Sequence, residues 1–182
     1  MDALREFSIP IKGLNNGKRE FQFKIDNNFF KNFEGSQIEE GEFDVHLIFD
    51  KKDSFIELTF DFDGTIQAEC DRCTASINLP YGDSHFLMVK YSIEDQAEDA
   101  EIVYISPETS HLNVAQYIYE FITISIPFHK TYDCENDNPK PCDVDVLNRF
   151  TLLTTEVEEK EVEETEDKKN PFNDLKNLFN NN

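Results

Sequence analysis

The chain has no tryptophan, two methionines and only six glycines in 182 residues. None of the glycines forms a G-x-G-x-x-G or a G-x-x-x-x-G-K-[ST] pattern, which excludes the usual phosphate-cradling loops. Basic residues are also scarce. Lys and Arg number 17 against 38 acids, for a formal net charge of -21. That imbalance repels nucleic-acid phosphate and anionic membranes and favours basic partners. No apolar run approaches the roughly 20 residues needed to cross a bilayer. Met1 to Pro10 carries Asp2 and Glu6 and has no signal-peptide apolar stretch. The expected location is cytoplasmic, with no membrane partner.

Catalytic constellations are missing as well. His46, His85, His111 and His129 are scattered, and His46 alternates with Val45 and Leu47, which puts it on the solvent face of a strand. Asp61 and Asp63 stand at i, i+2, a spacing that reads as a solvated strand face rather than a catalytic dyad. With no assembled nucleophile or base, the chain is expected not to be an enzyme and to take no small-molecule substrate.

Cysteine is sparse but patterned. Cys70 and Cys73 form a C-x2-C at the end of a strand-like run, and Cys134 and Cys142 follow a gap of 60 residues, just past Pro127, Phe128 and His129. Two separated pairs can bring four thiolates to one tetrahedral zinc ion, which would also fasten two distant segments together. In a reducing compartment paired cysteines are more often metal ligands than disulfides. Ordinary reduced thiols and a redox C-x2-C are the other readings. The redox motif usually opens a helix, whereas this pair ends a strand and Thr74 to Pro80 follows.

The charge is unevenly spread. Residues 1–31 carry six bases against four acids, among them Lys12, Lys18, Arg19 and Lys24. Glu156 to Asp167 holds eight acids in twelve residues. This divides the chain into a folded domain over 1–150, an acidic disordered linker over 151–169 and a short motif over 170–182. In that motif Phe172, Leu175, Leu178 and Phe179 share one helical face, as in a docking peptide or a frayed terminus. Without the residues after Phe150, 29 acids still face 13 bases.

Within the body, Phe21, Phe23 and Ile25 alternate with polar residues, as do Phe43, Val45, Leu47 and Phe49 apart from Ile48. Asp50 to Ser54 predicts a reversal. Beyond it Ile56, Leu58, Phe60 and Phe62 face one way and Ile66, Ala68 and Cys70 keep the parity, with Gly64 a candidate bulge or bend. Ile77 to Tyr91 predicts one or two more strands and Glu101 to Ile105 a short one, joined by an exposed acidic loop (Glu94, Asp95, Glu98, Asp99). Asn113 to about Ser125 reads as a helix with a capping box of Asn113 and Gln116 and a stripe of Leu112, Ala115, Ile118, Tyr119 and Ile122. Pro127 closes it. Asp143 is expected to cap a second helix reaching Phe150. The predicted class is α+β: a curved antiparallel β-sheet, a partial barrel, packed by one main helix.

Cys70-Asp71-Arg72-Cys73, the acidic loop, Leu112 to Glu120, Ile126-Pro127 with a nearby His, and Cys142-Asp143 occur in an order that resembles the YceD-like family in its Bacteroidetes form. The likeness covers roughly residues 5–150, and the motif in the tail is similar too. These are large ribosomal RNA subunit accumulation proteins, so the resemblance implies a ribosome-assembly factor. Family members usually show one His and one Cys after the proline, whereas this chain has two cysteines. Cys70, Cys73 and Cys142 are therefore the stronger ligand candidates, with Cys134 or His129 completing a structural zinc site. An acidic body is expected to bind a basic ribosomal protein or assembly factor. Direct contact with large-subunit rRNA would fall to Lys12, Lys18, Arg19 and Lys24, helped by Arg72. Partner binding through the tail would use Phe172, Leu175 and Leu178. The competing readings are a zinc-stabilised interaction module with no ribosomal role and a metal chaperone.

Overall fold

The computed structural model describes residues 4–93, 101–134 and 137–149. The order is β1 (Ser8–Pro10), β2 (Gly17–Ile25), α1 (Asn27–Phe30), β3 (Gly41–Lys51), β4 (Phe55–Glu69), β5 (Ser76–Tyr91), β6 (Ile102–Ile105), β7 (His111–Asn113) and α2 (Ala115–Ile124). Two compact units are formed, Met1–Cys142 and Asp143–Asn182.

The large sheet has the order β2-β3-β4-β5-β6 and is open at both edges. Its first four strands form an antiparallel meander, as the alternating sequence predicts. Ile77 to Tyr91 lies in a single strand. Pro80 is accommodated because β6 pairs only with Met88–Tyr91, so β5 is an edge strand at that point. The last pair, β5 with β6, is parallel, which makes the sheet mixed rather than wholly antiparallel. The predicted acidic loop at 94–99 lies outside the described residues.

One face of this sheet is largely apolar, with Arg19, Asp83 and His85 among its polar exceptions. Phe43, Val45, Leu47, Phe49, Ile56, Leu58, Phe60, Phe62, Ile66, Leu79, Leu87 and Val89 are all buried. With no tryptophan, phenylalanine fills the space. Rings touch in series from Phe7 to Phe29, Phe30, Phe43 and Tyr81. Edge-on and tilted contacts of this kind add about 0.5–1.5 kcal/mol per pair beyond area burial.

Helix α2 packs on the same face. Ala115, Ile118, Phe121 and Ile122 are buried, Phe121 lies 5.2 Å from Phe60, and the Tyr81 hydroxyl donates to the Ile122 carbonyl at 3.0 Å. Tyr119 is only half-buried and stacks at 4.1 Å on Phe33. The helix starts differently from the expected capping box. Asn113 belongs to β7, where its side chain accepts from the Ala115 N–H at 2.9 Å and donates to Leu4 O and Ser8 Oγ. Gln116 does not reach back and instead donates to Glu120 at 2.8 Å.

Three elements, α1, β1 and β7, have no counterpart in the sequence reading. The short α1 is capped by Asp26, which accepts from Asn28 and Phe29 N–H groups. Strand β1 pairs antiparallel with β7, tying the start of the chain to the start of α2. Gly64 is not a bulge, since β3–β4 pairing is one-to-one through it. A Cβ there would stand 2.1 Å from the Glu42 carbonyl, so glycine permits a close approach of strands. In the second unit residues 144–149 are helical, and Asp143 accepts from the Asp145 and Val146 N–H groups as expected of a cap.

A candidate cysteine centre

The C-x2-C occupies the hairpin turn between β4 and β5. Cys70 N–H donates to Ala75 O and Thr74 N–H donates to Cys70 O, both at 2.8 Å. Thr74 adopts φ 57, the left-handed region that closes such a tight turn. The pair therefore sits on a rigid two-stranded knuckle and not at the opening of a helix, the placement that a redox C-x2-C ordinarily has.

A second segment is fastened to this knuckle. Lys130 N–H donates to the Asp71 carboxylate at 2.7 Å, and Asp71 N–H donates to Lys130 O at 3.2 Å. The chain then brings in Cys134 and Cys142, whose Sγ atoms lie 2.7 Å apart. Arg72 Nη2 donates to Cys134 Sγ at 3.5 Å and approaches Cys142 Sγ at 3.9 Å. Cys70, Cys73 and Cys134 are buried, Cys142 is half-buried, and all four are free thiols.

Arg72 and Cys142 feel the charges of the other thiols. The Cys142 thiol is pushed up by its hydrogen bond with Cys134, by burial and by the fields of Cys134 and Cys73, with Arg72 opposing. The Arg72 guanidinium is held further in its charged form by Cys142 first, then Cys134, and also by Cys70. Among the described residues, no three His, Cys, Asp or Glu side chains stand grouped as a metal-holding cluster. His129 is exposed and packs edge-on against Phe128 at 5.0 Å.

The other site candidates disperse. Lys12 pairs with Glu108 at 3.7 Å, and Lys24 with Asp44 at 3.6 Å. Lys18 faces Asp50 across the β2–β3 ladder, whereas Arg19, on the opposite strand face, donates to Asn15 O at 3.0 Å. Lys18 and Lys24 share one face of β2, and Arg19 emerges on the other. Phe172, Leu175, Leu178 and Phe179 lie outside the described residues.

One constellation escaped the sequence reading. His85 Nε2 lies 2.7 Å from Ser125 Oγ and 3.3 Å from Asp83 Oδ2, while Ser125 Oγ donates to Asp83 at 3.0 Å. The three residue types match a hydrolase triad, but the geometry does not. Asp83 and Ser125 meet the same imidazole nitrogen, whereas a triad aspartate orients the histidine through the other one. The ring stacks on Phe121 at 4.6 Å, so the group clamps the end of α2 to β5. The available signal was Asp83 and His85 at i, i+2 on one strand face. Their partner Ser125 is 40 residues away from His85 and carries no local mark.

Three further observations complete the description. Among the described residues no helix is long and apolar enough to cross a membrane. Neither a curated protein nor a solved structure matches the chain. The family pattern described as large ribosomal RNA subunit accumulation protein YceD does match, over residues 58–179. The match starts within β4, takes in the whole cysteine centre, the β5 strand and α2, and continues through the apolar residues at 172–179. It covers more than half of the sequence, and the chain belongs to the YceD family.

Proposed function

We propose that this chain is a non-enzymatic cytoplasmic factor that supports accumulation of large-subunit ribosomal RNA by binding a basic ribosomal or assembly protein. Family membership over residues 58–179 carries the ribosomal part of this reading. The charge carries the partner part. A body of 29 acids against 13 bases opposes phosphate, whose capture depends on Lys and Arg displacing counterions. Lys12, Lys18, Arg19 and Lys24 all precede the family match, and two of them already pair with local carboxylates. Both facts favour a protein partner over naked rRNA.

The cysteine centre serves this factor as a structural zinc clip. Its donor chemistry fits. Four free thiols come from two segments that Asp71 and Lys130 already join, and Arg72 offsets the negative charge of a four-thiolate site. Cys70, Cys73, Cys134 and Cys142 would be the ligands. Buried Cys134, against Cys142, is better supported than exposed His129 as the fourth. Sulfurs 2.7 Å apart stand closer than the roughly 3.8 Å between two ligands of one tetrahedral zinc, so the pair must part to seat the ion. The metal would supply rigidity there and no chemistry.

Sedimentation of cell extract on a gradient tests the ribosomal role: the full chain is expected to travel with large-subunit precursors. Its absence from those fractions, with normal large-subunit rRNA when the protein is depleted, would leave only an interaction module. Tight gel-shift binding of large-subunit RNA at physiological salt would overturn the preference for a protein partner. Elemental analysis tests the clip, with about one zinc per chain expected and most thiols protected from titration. Four freely reactive thiols and no metal would end it.

A further inference from the structure

The sheet has a second face, and no described element covers it. Helix α1 meets the apolar side through Phe30 and Phe43, α2 through Phe121 and Phe60, and the β1 end through Phe7 and Phe23. On the other side the strand register sets solvent-facing residues in rows. One row reads Lys24, Asp44, Asp63, Gly82, and the next reads Gln22, His46, Asp61, Ser84. Glu42 stands two residues before Asp44 on the same face of β3. Four carboxylates thus share two central strands. Like charges on neighbouring strands oppose folding, and relief from within is partial. Lys24 reaches Asp44, and Ser84 donates to Asp61 at 2.6 Å. Among the described residues neither Glu42 nor Asp63 has an ion pair.

Apolar surface adjoins the acids on the same face. The row beyond Asp61 holds Glu20, Ile48, Thr59 and Phe86, and Phe86 is 42% exposed. Two depressions of about 550 and 340 Å³ adjoin there, both lined by Lys24, Asp44 and Asp63. Gly82 ends the Asp63 row without a side chain, and a Cβ there would meet Phe62 O at 2.5 Å.

We infer that this uncovered face docks an extended Lys- and Arg-rich segment of a protein partner. Its cations lie over Glu42, Asp44, Asp61 and Asp63, and an apolar side chain lies over Ile48 and Phe86. The spacing selects this occupant. Alternate residues on a strand are about 6.8 Å apart, so Glu42 with Asp44, and Asp61 with Asp63, repeat at the interval of alternate side chains in an extended peptide. Among the described residues these carboxylates do not group in threes as a metal-holding cluster would. A second copy of the chain would bring acid to acid, and RNA would bring phosphate to acid. The inference rests on the reading above that the partner is a basic protein, and it assigns that partner its surface.

The test is fluorescence anisotropy of the full-length chain with a labelled peptide carrying arginine at alternate positions and one phenylalanine. Neutralising Asp44, Asp61 and Asp63 to Asn should weaken binding about tenfold. A control with the same change in net charge, Glu158, Glu159 and Glu161 to Gln, should weaken it less than about twofold, because these residues are not part of the proposed surface and report net charge alone. Phe86→Ala should cost about threefold. Thr59→Arg, which leaves the core untouched, should weaken binding by placing a cation beneath the ligand. Equal losses in the sheet and control variants, or saturable Mg2+ binding that displaces the peptide, would overturn the surface assignment. Gradient sedimentation separates the two claims. Failure of the wild-type chain to travel with large-subunit precursors would sink the assembly reading alone. A sheet variant that still travels with them would sink the docking surface alone.

Discussion

At the scale of single residues, identity matters most where backbone approaches backbone. Gly64 lies between Phe43 and Tyr81 across three strands, and a methyl group there would overlap the Glu42 carbonyl. Gly64→Ala should lose about 2–3 kcal/mol in urea unfolding, the usual cost of overpacking that backbone cannot relieve. Tyr132 makes a different kind of prediction. Its hydroxyl donates to Asp137 at 2.5 Å, and that bond, with burial and the nearby negative charges, pushes the phenol up to about 12. A raised folded-state value favours the protonated form. The contribution to stability is whole below the ordinary value near 10.0, and it fades as pH rises from there to about 12. Absorbance titration should therefore show a late-ionising phenol that Tyr132→Phe removes, and the stability gap between variant and parent should close above pH 10. Gly64 stood out in the sequence only as a candidate bulge or bend, because a close strand approach leaves no local mark, and the Tyr132–Asp137 bond depends on a loop with no periodic pattern.

At the scale of elements, alternation located β2, β3 and β4 because each has one wet and one dry face, so the pattern and the physics coincide. The same logic located α2, but its start was misread. Asn113 and Gln116 have capping-box spacing, yet Asn113 is held in β7 and spends its amide on Leu4 and Ser8. The two residues now have different expected weights. Asn113→Ala should destabilise by about 1–2 kcal/mol through the lost bonds to Ala115, Leu4 and Ser8. Gln116→Ala, which loses only an exposed contact with Glu120, should change the unfolding midpoint by less than about 0.5 kcal/mol. Equal losses would restore the capping box. At the other end of the helix, His85→Ala removes the stacked ring on Phe121 and the bond to Ser125. It should cost about 2 kcal/mol. Strands β1 and β7 went unread because three-residue strands carry too few side chains to show a period.

At the scale of the whole molecule, every buried apolar side chain among the described residues lies between Phe7 and Cys134. A chain ending at residue 149 should therefore keep the thermal midpoint of the full protein, read by circular dichroism, while losing any partner contact made through the tail. The acidic character, the α+β class, the alternating strands and the family were legible without coordinates, because they follow from composition, periodicity and the order of motifs. The tertiary structure alone decided what stands beside what. It put C-x2-C in the β4–β5 turn, bound Lys130 to Asp71, and drew Cys134 and Cys142 under Arg72. It also stacked Asp44 beside Asp63 and His46 beside Asp61 on one uncovered face. The reason is physical: periodicity fixes the face on which a side chain emerges, but strand register and chain closure choose its neighbours, and a site consists of neighbours.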